Sequence, residues 1–189
     1  MKRNNLNIPN IITSLRIVGT VLMLPAESMS AWFFVLYSFT GLTDVLDGFI
    51  ARKTNTTTPL GTKLDSVADL LFYAAMFYKI FPTLSEVLPL GVWIGIGIAV
   101  LIRLCAYATA AIKYKRFASL HSWLNKVTGF MVFGLPYMIV TPFAVAYSYL
   151  GCAVAIFASA SEFVLHLRAG SYDEKTKTIF DHKKAQKQL

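Results

Sequence analysis

Long apolar stretches alternate along this chain with short breaks that carry proline or charged and hydroxyl residues. Six stretches stand out, at residues 8–25, 31–52, 61–81, 88–113, 122–141 and 144–168. A helix needs about 20 mostly apolar residues to cross a bilayer. Backbone groups in hydrocarbon must also be satisfied within their own segment. The pattern therefore predicts an all-α integral membrane protein with six transmembrane helices. The breaks fall at Pro25–Ser30, Thr54–Pro59, Pro82–Pro89, Lys115–Ser119 and around Pro142. Barrel strands would alternate apolar and polar positions, and no such alternation is visible.

Composition supports lipid as the solvent. The 189 residues are 56% hydrophobic and only 15% charged, and the stretches are apolar all round rather than on one face. A formal charge of +8 raises nucleic acid as a partner. The basic residues sit at segment ends and tails without interleaved aromatics, which excludes that class and favours a membrane surface. Cys105 and Cys152 lie inside apolar stretches, away from metal-type spacing, and read as ordinary buried thiols. The first ten residues are too polar for the apolar core of a signal peptide.

The placement of charge orients the spans. Lys2 and Arg3 precede the first, and Arg52, Lys53 and Lys63 flank the second connection. Lys113, Lys115, Arg116 and Lys126 flank the fourth, and six basic residues follow the last span from Arg168 onward. Only Lys79, beside Glu27 and Glu86, falls on the other side. Both termini are thus expected in the cytoplasm. Residues 1–169 form one membrane domain in this reading. Residues 170–189 form a basic cytoplasmic tail that contacts anionic headgroups.

Four aspartates break the apolar pattern. Asp44, Asp47, Gly48 and Ala51 are spaced i, i+3, i+4, i+7, and Gly61, Asp65 and Asp69 are spaced i, i+4, i+8. Each set shares one helical face. The short connection between the two helices returns them antiparallel, so the acidic faces meet. A carboxylate costs about 2.5–3.5 kcal/mol at a span's centre, and four together repel. Protonation, as in a proton relay, is one remedy and cation binding the other. Hard divalent ions take oxygen ligands between carboxylates and phosphates. Four acids suffice for two metals about 3.5–4 Å apart, an arrangement suited to displacement at phosphorus. Asp44 lies eight residues before Arg52, or about 12 Å along a helix, which puts the cluster in the cytoplasmic half of the membrane. Small residues at 48, 51 and 61 leave room for a ligand, and Arg52 offers a forked cation for phosphate oxygens.

The segment DVLDGFIARKTNTTTPLGTKLDSVAD, Asp44 to Asp69, resembles the signature of the CDP-alcohol phosphotransferase family. It matches D-x2-D-G-x2-A-R-x8-G-x3-D-x3-D at every specified position. The resemblance implies a homodimer with a polar cavity open to the cytosol, two bound divalent cations (Mg²⁺ or Mn²⁺), and CDP-diacylglycerol as the lipid donor. An alcohol attacks the phosphorus attached to the lipid and CMP is released. Asp44, Asp47, Asp65 and Asp69 are the implied metal ligands, and Asp69 is also the catalytic base. Asp44, Gly48, Ala51, Arg52, Thr58 and Gly61 are the implied nucleotide and diphosphate contacts. The site then faces the cytoplasm in a multi-pass protein of the cell membrane.

The acceptor alcohol is less sharply marked. The opening NIPNIITSLRI resembles the branch that uses glycerol 3-phosphate. Ser66 and Leu70 depart from that branch, which usually has Pro and Lys there, and the Asp65-Ser66 pair is closer to the branches that use serine or inositol phosphate; inositol is a further alternative acceptor. A phosphorylated acceptor needs cations. Arg103 lies within the fourth span, where an arginine is costly; it serves the acceptor phosphate or pairs with a carboxylate. Lys126 is the second acceptor candidate, and His121 lies near the same interface. Glu162 pairs with a base, lines the cavity, or reaches toward Arg168. A cation- or proton-coupled transporter is the rival from another class. It predicts acids at the midplane, broken helices and repeated halves, and none of these is evident in the sequence.

Overall fold

The computed structural model of the chain describes residues 8–54, 59–114 and 123–168. Within these, residues 8–10, 45, 47–49, 51, 52, 54, 59, 60, 62, 63, 114 and 168 are described by their backbone alone. Six helices follow one another: α1 (Ile8–Met23), α2 (Ala31–Thr54), α3 (Pro59–Val87), α4 (Leu90–Tyr114), α5 (Trp123–Ile139) and α6 (Ala144–Arg168). Three contain segments long and apolar enough to cross a membrane: Leu64–Val87, Leu90–Lys113 and Ala144–Leu167.

The expected end of the third span needs correction. The helix runs through Pro82 to Val87 instead of stopping at residue 81. Proline forfeits one backbone hydrogen bond but is tolerated in apolar helices whose neighbours make up the loss. The Pro82 carbonyl also accepts a hydrogen bond from Ser85 Oγ at 2.7 Å.

The chain forms two compact units, Met1–Glu86 and Val87–Leu189. In the first, α1 packs on α2. Gly19 permits that approach, because a Cβ there would lie 2.6 Å from Thr40 Oγ1. The rings of Phe33, Tyr37 and Phe72 stack in series, with centroids 5.8 and 5.1 Å apart. This stack joins α2 to α3 around a core that includes Met23, Met76 and Ile80. Ser30 caps α2: its Oγ accepts the Phe33 N–H at 3.1 Å and donates to the Glu27 carbonyl at 2.7 Å. Met29 makes the turn before it with φ 59°. Lys79 Nζ donates to the Leu24 carbonyl just past α1 at 3.1 Å, satisfying a carbonyl that the helix leaves over.

In the second unit α6 packs on both α4 and α5. Tyr147 donates to the Met131 carbonyl at 2.9 Å. Lys113, expected only as an orientation anchor, also caps α6 by donating to the carbonyls of His166 and Leu167, each at 3.0 Å. Both cysteines are free thiols, as expected. Cys152 is buried against the Val92 carbonyl. Cys105 is exposed, a correction to the reading of both as buried, because it lies on an outward face of α4.

Candidate active site

The site in the first unit is built on the cytoplasmic halves expected of α2 and α3, and α1 completes it. Asp65 and Asp69 are one turn apart on α3, so their carboxylates project from one face. Asp44 comes from α2. The three carboxylates each offer an oxygen within 4.8 Å of the others, which is the convergence the spacing predicts. The side chains of Asp47, Gly48, Ala51 and Arg52, and the whole of Thr58, lie outside the described residues. Gly61 sits half-buried in the first turns of α3.

A residue that sequence reasoning passed over holds the centre. Arg16 of α1 is 1% exposed, and its guanidinium meets all three carboxylates. Nη2 lies 2.9 Å from Asp44 Oδ1, while Nη1 donates to Asp65 Oδ1 at 2.9 Å and to Asp69 Oδ1 at 2.6 Å. The Arg16 carbonyl accepts from Thr20 Oγ1 at 2.9 Å. The carboxylates themselves are about half exposed, at 52%, 44% and 44%. The arginine is thus buried beneath a partly open acidic surface. The signal that could have found it was present: Arg16 sits well inside the first apolar stretch, and the insertion cost that singles out Arg103 applies to it equally.

The donor set fits a hard cation. Carboxylate oxygens from two helices already converge on a positive group, and Mg²⁺ or Mn²⁺ prefers such oxygens. Asp44, Asp65 and Asp69 would hold it.

A second polar cluster lies within the other unit. Arg103 Nη1 donates to Glu162 Oε2 at 2.5 Å, and Nη2 donates to Asn125 Oδ1 at 2.8 Å. Asn125 Nδ2 donates to the same Glu162 oxygen at 3.0 Å. The cluster therefore ties α4, α5 and α6 together. Glu162 is buried, and Arg103 is 21% exposed. Of the alternatives open for Glu162, the structure displays pairing with a base. Lys126 is exposed in the first turn of α5. His121 lies outside the described residues.

The family model of the CDP-alcohol phosphatidyltransferases matches residues 6–161. The chain is 41% identical over 69 residues to the CDP-diacylglycerol–glycerol-3-phosphate 3-phosphatidyltransferase of Wigglesworthia glossinidia brevipalpis, covering 34% of this chain and 38% of that one. It is 38% identical over 78 residues to the enzyme of the same name from Pseudomonas fluorescens, covering 36% and 38%. It is 32% identical over 93 residues to a cardiolipin synthase (CMP-forming) of Streptomyces coelicolor, covering 45% and 42%. The match thus spans about two fifths of the length of these relatives. No solved structure matches the chain. The family model takes in five of the helices whole and most of the sixth, including the aspartate cluster with Arg16 and, of the second cluster, Arg103 and Asn125, and stops one residue short of Glu162. The chain belongs to the CDP-alcohol phosphatidyltransferase family.

Proposed function

We propose that this protein transfers a phosphatidyl group from CDP-diacylglycerol to glycerol 3-phosphate, releasing CMP, with two divalent cations at the aspartate cluster. The observation that carries the reading is the convergence of Asp44, Asp65 and Asp69 within 4.8 Å in a predominantly apolar helical chain. The names of two relatives, both glycerol-3-phosphate 3-phosphatidyltransferases, support this acceptor.

The chemistry is a displacement at the lipid-bearing phosphorus. The acceptor hydroxyl oxygen forms the new bond to phosphorus, the bond to the CMP oxygen breaks, and CMP leaves with that electron pair. Asp69 takes the hydroxyl proton as general base. Asp44, Asp47, Asp65 and Asp69 hold Mg²⁺ or Mn²⁺, which when bound offset charge on the diphosphate and the departing CMP. Gly48, Ala51, Thr58 and Gly61 let the nucleotide approach, and Arg52 takes diphosphate oxygens. Arg103 and Lys126 are assigned to the acceptor phosphate. Glu162 and Asn125 fix two edges of the Arg103 guanidinium, so that it enters no new rotamer on binding.

In this reading all six helices span the cell membrane, both termini and the site face the cytoplasm, and residues 1–169 act as one domain. The family match across both compact units supports that last assignment. Residues 170–189, outside the described residues, form a basic tail against anionic headgroups. The resemblance makes the working species a homodimer.

The deciding experiment is CMP release from labelled CDP-diacylglycerol by the purified full chain, with Mg²⁺ or Mn²⁺. Glycerol 3-phosphate, serine, inositol phosphate and inositol are tested as separate acceptors. Release with glycerol 3-phosphate alone is expected. Release with another acceptor alone would move the assignment to that branch, and none with any would end the proposal.

A further inference from the structure

The position of Arg16 raises a question that metal binding by the cluster does not answer. Its guanidinium is buried, and its two terminal nitrogens contact one oxygen of each of Asp44, Asp65 and Asp69. Among the described side chains three negative charges meet one positive charge, which leaves an excess of two negative charges. A buried guanidinium cannot shed its proton, and it has no water to retreat to. A divalent cation seeking those oxygens therefore meets a resident cation that stays charged.

The two draw on the same three carboxylates. Mg²⁺ demands oxygen ligands at about 2.0–2.1 Å in near-ideal octahedral geometry. Nη1 already lies between Asp65 and Asp69, 2.9 and 2.6 Å from their Oδ1 atoms. A cation drawing those oxygens inward would stand against a like charge at close range. Nη2, on Asp44 at 2.9 Å, reaches toward the other helix and is not caught between the α3 pair.

We propose that Arg16 is a built-in counter-cation of the carboxylate site. It neutralises part of the cluster when divalent ions are absent, and its Nη1 gives up Asp65 and Asp69 when they bind. This inference rests on the reading of the cluster as a divalent-metal site. Arg16 thereby sets the metal affinity: it protects the metal-free fold from repulsion among the acids, and weakens divalent binding in proportion. Gly19, one turn further along α1, lets the helix lie close to α2, so the backbone of α1 carries Arg16 toward the carboxylate of Asp44.

The test is Mn²⁺ binding to the full chain in detergent, read as free Mn²⁺ by electron paramagnetic resonance, alongside thermal melting. Arg16→Gln removes the competing charge. It is expected to bind Mn²⁺ at least about tenfold tighter than the unaltered chain, the equivalent of one charge-assisted hydrogen bond no longer to be broken. Its metal-free form should melt lower, and Mn²⁺ should raise its Tm by more than it raises that of the unaltered chain. Arg16→Lys keeps the charge but loses the fork, and should lie between the two. Where Arg16→Gln folds only with Mn²⁺ present, the proposal stands; where it never folds, the affinity of Arg16→Lys decides in the same sense. Equal or weaker Mn²⁺ binding in the folded variant overturns the competition while leaving the metal site intact. Absence of Mn²⁺ binding by the unaltered chain overturns the metal reading itself, and this inference with it.

Discussion

Arg103 and Glu162, 59 residues apart in sequence, are joined by a 2.5 Å ion pair in which the carboxylate is 1% exposed. Asn125 bonds to both partners, so each of the three helices in the second unit contributes one member. Removing one side of a buried pair leaves the other charge uncompensated, which typically costs about 3–5 kcal/mol. Glu162→Ala should lower the melting temperature sharply. Arg103→Met with Glu162→Met should be less damaging than Glu162→Ala alone, because neither charge is then stranded. A double variant as unstable as the sum of its singles would show that the pair contributes nothing through pairing.

The helices were legible because lipid permits few alternatives: an apolar stretch must satisfy its own backbone, so stretch and helix coincide. Proline misled the reading at α3, since Pro82 ends helices in water but not where apolar surroundings favour continuation. The acidic cluster was legible because Asp44, Asp65 and Asp69 follow helical spacing on consecutive elements, and local periodicity then fixes which face they share. The partners of Arg16 and of Glu162 were not, although the arginine itself lies visibly inside an apolar stretch. Each depends on a contact across about 50 or 60 residues, and spacing within one helix carries no information about which distant helix it faces.

Gly19 offers a separate probe of the contact that seats Arg16. A methyl group there would meet Thr40 Oγ1 at 2.6 Å, and overpacking of this kind costs about 1–3 kcal/mol. Gly19→Ala should therefore melt lower than the unaltered chain. Thr40→Ala removes the atom in conflict, and the pair of changes should recover most of the loss. Failure of Thr40→Ala to rescue would mean that α1 yields by moving, not that Thr40 resists.

Chelation should separate activity from folding. Some metal sites build their domain, so that removing the ion unfolds it. Here Arg16 already supplies positive charge to all three described carboxylates. A chelator should stop CMP release completely, while far-ultraviolet circular dichroism stays unchanged and re-added Mg²⁺ restores turnover. Loss of helix on chelation would show that Arg16 alone cannot hold the cluster together.

Asp69 is assigned two tasks, ligand and base, and one substitution can tell them apart. Its Oδ1 accepts from Arg16 at 2.6 Å, a bond that an asparagine carbonyl can also accept, so Asp69→Asn should remain folded. Loss of a general base lowers turnover by about 100-fold or more. Loss of a ligand instead weakens metal binding, and excess metal repairs it. CMP release by Asp69→Asn should therefore stay at least about 100-fold down even when Mn²⁺ is raised until release no longer responds to it. Asp65→Asn, which removes a ligand without removing the base, should recover part of its activity over the same range. Recovery of Asp69→Asn to the level of Asp65→Asn would make Asp69 a ligand only. The proton would then have to leave the acceptor by another group or through water.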